Sequence, residues 1–319
     1  MANAIHLSAI IPKELAGKRL DQVLALLFPE HSRARLQEWI RRGDVRVNDI
    51  NMNQRHRVKG GELIVINTTH AEEDSWSAEN IPLQIIHEDD ALLILNKPAG
   101  MVVHPGAGNP HHTLLNALLH YDVRLKSVPR AGLIQRLDKD TSGLMVIART
   151  PECHTFLITE MQERRIKREY QAIVSGVMTA GGTIDQPIGR HPQKRTRMAV
   201  TQRGKPAVTH YRIIRKYRAH THLLVQLETG RTHQIRVHLA YLRHPLIGDP
   251  AYGVRRSLPR GISPALATAI KSFGRQALHA HALTLQHPDT HKTLSFTAPL
   301  PEDMLHLLEV LRTDAGQQA

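Results

Sequence analysis

The segment Arg136-Leu137-Asp138-Lys139-Asp140-Thr141-Ser142-Gly143 runs straight into an apolar stretch, Leu144-Met145-Val146-Ile147-Ala148. The first part has the composition of a turn, and the second reads as a buried strand. A turn sealed against a buried strand has little freedom, so its carboxylates sit at fixed positions. Fixed placement is what a catalytic group requires. Arginine, leucine and aspartate in a row also suit a surface turn with an ion pair. The rest of the chain must decide between these readings.

Strand patterns recur at 91–95, 144–148, 169–174, 208–214, 222–228, 277–285 and 293–297. Helical spacing marks 112–120, 152–163, 232–242 and 302–311. Consecutive strands broken by Gly and Pro turns predict an α+β domain with a mixed, largely antiparallel sheet and flanking helices. Its expected limits are 82–312, followed by a polar tail at 313–319 that reads as disordered.

A smaller α+β unit is expected at 17–66. Leu20, Val23, Leu24 and Leu27 follow helical spacing, and Pro29 closes that helix. Ser32 is placed to cap a second helix, on which Leu36, Trp39 and Ile40 share a face. Gly43 stands where a helix ends. Val45 and Val47 alternate, as do Leu63 and Val65, which suggests short strands. Residues 67–81 turn acidic and polar, a linker composition that lets the two parts move independently.

Charge narrows the partner. Lys and Arg number 42 against 29 Asp and Glu, a net +13. An excess of that size points to a polyanion, most simply nucleic acid. The basic residues also cluster. Ten fall between Lys18 and Lys59, Arg33, Arg35, Arg41, Arg42 and Arg46 among them. A second group, Arg190, Lys194, Arg195, Arg197, Arg203 and Lys205, has no acidic residue between its members. Either cluster is an RNA-gripping surface or a solvated face.

Other classes are disfavoured. One cysteine, Cys153, allows no internal disulfide, which fits a reducing cytoplasm. No run of about 18 apolar residues predicts a membrane span, and residues 1–11 lack a secretory pattern. The 22 histidines include no His-Glu-x-x-His spacing, so no metal is expected. Gly106-Ala107-Gly108 begins like a dinucleotide loop, but His111 takes the third glycine position. No phosphate-binding Gly-x-x-x-x-Gly-Lys string exists. No cofactor is expected.

The string around Asp138 resembles the catalytic motif of the RluA/RluD family of pseudouridine synthases, His-Arg-Leu-Asp followed by Thr-Ser-Gly or Thr-Thr-Gly. Gln135 replaces the family histidine. Asn96-Lys97-Pro98-Ala99-Gly100, Val103-His104-Pro105 and Thr113 to Leu118 are similar to further family motifs. So are Lys167-Arg168-Glu169-Tyr170, Gly230-Arg231-Thr232-His233-Gln234-Ile235-Arg236, the stretch His244 to Asp249, Tyr252-Gly253 and Leu278-His279-Ala280. The smaller unit resembles an S4 RNA-binding domain through Arg19-Leu20-Asp21, Ser32-Arg33, Trp39-Ile40 and Val45-Arg46-Val47-Asn48, with Asp49 where glycine is usual.

The resemblance implies the pseudouridine synthase fold and an isomerase that turns uridine into pseudouridine. Asp138 would be the reacting carboxylate, with Asp140 its competitor by spacing alone. Tyr170 would face the target base, and Arg236 would pair with Asp138. Arg136 and the two basic clusters would contact RNA. Thr232 reads as a helix cap, and Glu228 is the ordinary salt-bridge partner for Arg236. Pro129-Arg130-Ala131-Gly132 and His104 to Asn109 fit the RluD branch, which acts on the helix 69 stem-loop of large-subunit ribosomal RNA. The expected partner is that RNA or a pre-ribosomal particle, and the expected state is a cytoplasmic monomer. Two other readings remain open: a non-catalytic S4-type assembly factor, and a metal-dependent RNA hydrolase using Asp138 and Asp140.

Overall fold

The computed structural model describes residues 4–28, 31, 33–69, 76–106, 108–194, 196–253 and 258–316, the side chains of 4, 33, 34 and 69 excepted. The chain divides into two compact units, 1–75 and 76–319.

The first unit contains β1 (Ala4–Ile10), α1 (Leu20–Leu27), α2 (Arg33–Arg42), β2 (Val45–Val47), β3 (Ile50–Asn51) and β4 (Leu63–Thr69). Its four strands form one sheet in the order β1-β4-β2-β3. Leu20, Val23, Leu24, Leu36, Trp39 and Ile40 are buried between the two helices and that sheet. Gly43 has φ +82°, which suits the left-handed end of a helix. Two expectations change. The unit starts before residue 17, because β1 pairs with β4 from Ala4↔Thr69 to Ile10↔Leu63. The inward face of β4 is Ile64 and Ile66, while Leu63 is 43% exposed. A strand turns alternate residues inward, so only one of the two sets can be core. The expected roles of Pro29 and Ser32 lie outside the described residues.

The second unit is built on a nine-stranded sheet, with a two-stranded hairpin beside it. In chain order come β5 (Ile85–Glu88), β6 (Leu92–Lys97), α3 (Leu114–Tyr121), β7 (Ser142–Ala148), α4 (Pro151–Gln162), β8 (Lys167–Ser175) and β9 (Gly182–Asp185). The hairpin strands β10 (Ile188–Arg190) and β11 (Met198–Val200) follow. Then come β12 (Val208–Lys216), β13 (His220–Leu227), α5 (Gln234–Tyr241), α6 (Pro264–Ser272), β14 (Leu278–Gln286), β15 (Thr293–Thr297) and α7 (Glu302–Gly316). The sheet order is β5-β6-β7-β14-β8-β13-β12-β9, with β15 on β14. Only β7 and β14 run parallel; the other pairs are antiparallel.

Strand β7 is central, and all seven of its residues are buried. Burying each of its large apolar side chains contributes about 1.5–3 kcal/mol. Gly143 lets β7 meet β14: a Cβ there would lie 2.3 Å from Ala280 O, and its φ of +121° also excludes most side chains. Helix α4 starts cleanly, with Pro151 in its first turn and Thr150 Oγ1 accepting from Cys153 N at 3.1 Å.

The linker is shorter than its composition suggests. Residues 67–69 belong to β4. Trp76 packs edge-on against His104, and Ser77 O accepts from Asn116 Nδ2 at 2.8 Å. The tail expected from 313 is helical through Gly316. Asp314 is buried and accepts from Ser263 N at 2.6 Å, holding the residue whose side chain caps α6.

Candidate active site

The turn that carries Asp138 is locked through its backbone. Thr141 N donates to Asp138 O at 3.0 Å, and Gly100 N donates to Lys139 O at 2.9 Å. Lys97 Nζ donates to Lys139 O at 3.0 Å, and also to Pro98 O and Met101 O. Arg275 Nη1 reaches Asp140 O at 3.2 Å. Two neighbouring loops are therefore tied to the turn that precedes β7. Burial draws Lys97 down to about 7, against the pull of Asp140 and Asp138.

Asp138 opens onto a pocket of about 1040 Å³, whose walls include Arg168, Tyr170, Gly230 and Arg236. Its Oδ2 accepts from Arg236 Nη1 at 2.8 Å. The other edge of the same guanidinium is held by Asp249: Nε donates to Oδ2 at 2.8 Å and Nη2 to Oδ1 at 2.9 Å. Arg236 is 6% exposed. Burial opposes its charge, but the bonds and charges of Asp249 and Asp138 outweigh burial and raise its proton affinity. Burial would raise the Asp249 carboxyl; Arg236 and the backbone N–H groups of Tyr252 and Ala251 lower it below the usual range.

Tyr170 lies on β8 facing the pocket, 6% exposed. Burial pushes its phenol upward, against the pull of Arg168 and with Asp138 adding to it, so the ring is neutral. Asp140 is not part of the pocket wall. The structure thus brings Asp138, Arg236 and Tyr170 together, and geometry separates the two aspartates that spacing could not.

Two local expectations fail. Thr232 does not cap α5; its Oγ1 accepts from Arg136 Nη2 at 2.7 Å. The residue before α5 is His233, in a left-handed conformation at φ +57°. Glu228 pairs with His210 at 2.7 Å and with Arg164, leaving Arg236 to the two aspartates.

The basic residues take other places. Arg41, Arg42 and Arg46 are exposed on α2 and β2 of the first unit, with Arg41 paired to Glu38 and Arg42 to Asp44. Arg35 is half-buried, and the side chain of Arg33 lies outside the described residues. Arg190, Lys194 and Arg197 belong to the β10–β11 hairpin, and Arg195 lies outside the described residues. Met198 N donates to Tyr252 Oη at 2.8 Å, and Tyr252 Oη bonds His233 Nδ1 at 2.7 Å. That chain ties the hairpin to the Asp138 site, because His233 Nε2 lies 3.9 Å from Asp138 Oδ1. Burial depresses the His233 imidazole, although Asp138 pulls the other way.

The sequence reading gave no role to Asp249, Lys97, His233 or Tyr252. All four stood inside quoted motifs. The contacts that tie them to the site are distant in the chain, Asp249 to Arg236, Lys97 to Lys139, His233 to Asp138 and Tyr252 to Met198, so no local pattern signals them. Among the described residues, no group of three or more His, Cys, Asp or Glu is placed to hold a metal ion. No helix of the described residues is long and apolar enough to cross a membrane.

The family model for RNA pseudouridylate synthase matches residues 91–241, and that for the S4 domain matches 18–64. Ribosomal large subunit pseudouridine synthase D of Haemophilus ducreyi is 53% identical over 98% of this chain and 97% of its own. The protein of the same name from Escherichia coli is 52% identical with the same coverage. The chain belongs to the RNA pseudouridylate synthase family. It is an isomerase of that family with an S4 domain at its N-terminal side. Among solved structures, human RNA pseudouridylate synthase domain containing 4 superposes with a TM-score of 0.56 at 27% identity, covering 72% of this chain and 93% of that one. In this RNA pseudouridylate synthase, the described members of the second basic cluster lie outside the pocket wall, in the hairpin tied to Tyr252 and the segment after it.

Proposed function

We propose that this enzyme isomerises uridines of large-subunit ribosomal RNA, in the helix 69 stem-loop, with Asp138 as the reacting carboxylate. The observation that carries the assignment is the 2.8 Å pair between Asp138 and Arg236 at the mouth of a pocket also walled by Tyr170. The names of the relatives support the RNA, and the net charge of +13 supports a polyanionic partner.

The reaction breaks the C1′–N1 bond and joins C1′ to C5. No atom is gained or lost, so no cofactor is required. Positive charge builds on the sugar, as in glycoside chemistry. Asp138 meets that charge either by bonding C1′ or by taking a sugar proton; both routes need an oriented carboxylate. Arg236, pinned by Asp249, supplies the orientation. The uridine must leave its stack to reach the pocket, and Tyr170 replaces a stacking face. Arg136, the S4 arginines, Arg190, Lys194, Arg195 and Arg197 grip phosphates. A reducing cytoplasm, where ribosomes are assembled, is the proposed setting.

The test compares wild type, Asp138→Asn and Asp140→Asn on unmodified large-subunit RNA and on isolated subunits, with pseudouridine mapped by chemical labelling. Wild type is expected to modify the helix 69 loop. Asp138→Asn should bind RNA normally and lose at least about a thousandfold in rate. Asp140→Asn should keep most activity. Equal losses in the two variants would remove Asp138 as the single reacting carboxylate.

A further inference from the structure

Two arginines face the pocket from buried positions, and only one has a counter-charge. Arg236 touches two carboxylates. Arg168, 7% exposed, touches none: among the described residues its side chain makes no ion pair or hydrogen bond, and its Nε is buried without a partner. An unpaired buried charge is costly, and proteins keep such groups where a ligand completes them.

Its placement says which part of the substrate does so. Arg168 and Tyr170 are two apart on β8, so their side chains share one face of the strand. Both are buried and both wall the pocket. Gly230 leaves room for the guanidinium; a Cβ there would stand 3.0 Å from Arg168 Nη1. The phosphodiester backbone has its own candidates at the rim, where Arg130, Arg136 and Arg164 are exposed. A cation as deep as Tyr170 meets the base instead.

We propose that Arg168 is a catalytic residue that binds a uracil carbonyl oxygen and stabilises the negative charge the base acquires when it leaves the sugar. This rests on the function proposed above. In the step concerned, the electron pair of the C1′–N1 bond goes to uracil, giving an anion spread over N1, O2, C5 and O4. C1′ is captured by Asp138 or loses a C2′ proton to it. The same anion then attacks C1′ through C5, displacing the Asp138 carboxylate in the first route or, in the second, with Asp138 returning the proton to C2′; the C5 proton is then lost and N1 takes up a proton. Both routes pass through the uracil anion, so Arg168 serves either one. A fixed cation in a dry pocket acts on the developing charge without reorganising.

The test uses the full-length protein and one RNA carrying either uridine or 5-fluorouridine at the target. Fluorine stabilises the departing anion by itself, so the need for Arg168 falls. The readouts are RNA affinity and the single-turnover loss of the original nucleoside at saturating enzyme. Arg168→Met is expected to slow loss of uridine about a hundredfold, and loss of 5-fluorouridine by about tenfold or less. RNA affinity should stay within about threefold, and the melting temperature should equal or exceed that of wild type, since an unpaired buried charge is removed. Arg168→Lys should recover part of the rate. Gly230→Ala, which presses on Nη1, should lower it without loss of folding. Equal deficits with both nucleosides would overturn the proposal, as would weakened binding at an unchanged saturated rate or a collapse in melting temperature. Wild type in the same assay reads the parent function separately: no pseudouridine on any ribosomal substrate sinks that function and this role with it.

Discussion

Two sets of ion pairs, one in each unit, serve opposite ends. In the catalytic unit, Arg236 is buried between Asp138 and Asp249, and the Asp249 side chain is fully enclosed. In the S4 unit, Arg41 pairs with Glu38 and Arg42 with Asp44, yet the arginine side chains are 63% and 42% exposed. Exposed pairs are worth roughly 0–1 kcal/mol and exchange partners readily. An arginine of that kind can leave its carboxylate for a phosphate at little cost. A buried pair cannot, because breaking it strands a charge. Burial therefore separates a group that must hold still from one that must be free to grip.

The largest effect that separates the units is expected at Asp249. Asp249→Asn keeps the shape and removes the charge that pins Arg236. Urea unfolding should show a loss of about 3–5 kcal/mol, and pseudouridine formation should slow by roughly ten- to a hundredfold. Arg42→Ala, which deletes a surface pair, should change stability by less than about 1 kcal/mol. Similar losses from both would erase the contrast.

Acid should discriminate next. His220, His222 and His279 of the catalytic unit are each held near 4 by burial, below the ordinary 6.5. Their folded forms are neutral, so the unfolded chain takes up protons first as pH falls. Stability is complete above 6.5 and is lost between 6.5 and 4, by on the order of 1.4 kcal/mol per pH unit for each group. Circular dichroism during thermal melts from pH 7.5 to 4.5 should show that loss. Replacing all three by Gln or Asn should flatten it; an unchanged slope in the triple variant would move the acid sensitivity elsewhere.

The S4 unit should respond to salt. Arg41→Ala, Arg42→Ala and Arg46→Ala combined should lower the slope of log affinity against log salt by about 2–3 and weaken binding roughly tenfold at moderate salt. The rate at saturating RNA should not move. A fall in that rate would mean the S4 arginines also order the catalytic pocket.

How far the sequence could be read follows the same division between local and distant causes. Periodicity and turn chemistry located the long strands and four catalytic-unit helices to within a few residues, because apolar spacing is a local signal. β1 is legible too, in the alternation of Ile5, Leu7 and Ala9, which pack against the core of the first unit. The end of α7 was not legible: Asp314 reads as tail until Ser263, 51 residues away, supplies its partner. The resemblance supplied Asp138, Tyr170 and Arg236, and the fold brought them to one pocket. Residues that act through others are silent in sequence. Asp249 matters through Arg236, and Lys97 through three carbonyl oxygens of two loops.

The smallest effect concerns a turn that the sequence comparison had already marked. Asn48 and Asp49 join β2 to β3 with φ +46° and +66°. Two positive values in a two-residue hairpin define the turn that favours Asn-Gly, because its twist matches that of the flanking strands. Asn48 suits the first position, and its Oδ1 accepts from Leu63 N at 2.8 Å, tying the turn to β4. Asp49 tolerates the second position but carries a Cβ there, where glycine has none to strain. Asp49→Gly is therefore expected to raise the stability of the S4 unit by about 0.5–1 kcal/mol, less whatever the freer glycine costs by loosening the unfolded chain. It also removes a negative charge three residues from Arg46, so RNA affinity should rise slightly, while the catalytic unit melts as before. Thermal melts followed by a probe in each unit would show the gain in one transition only. A gain in both, or a loss in the first, would mean that Asp49 holds a contact that a glycine cannot replace.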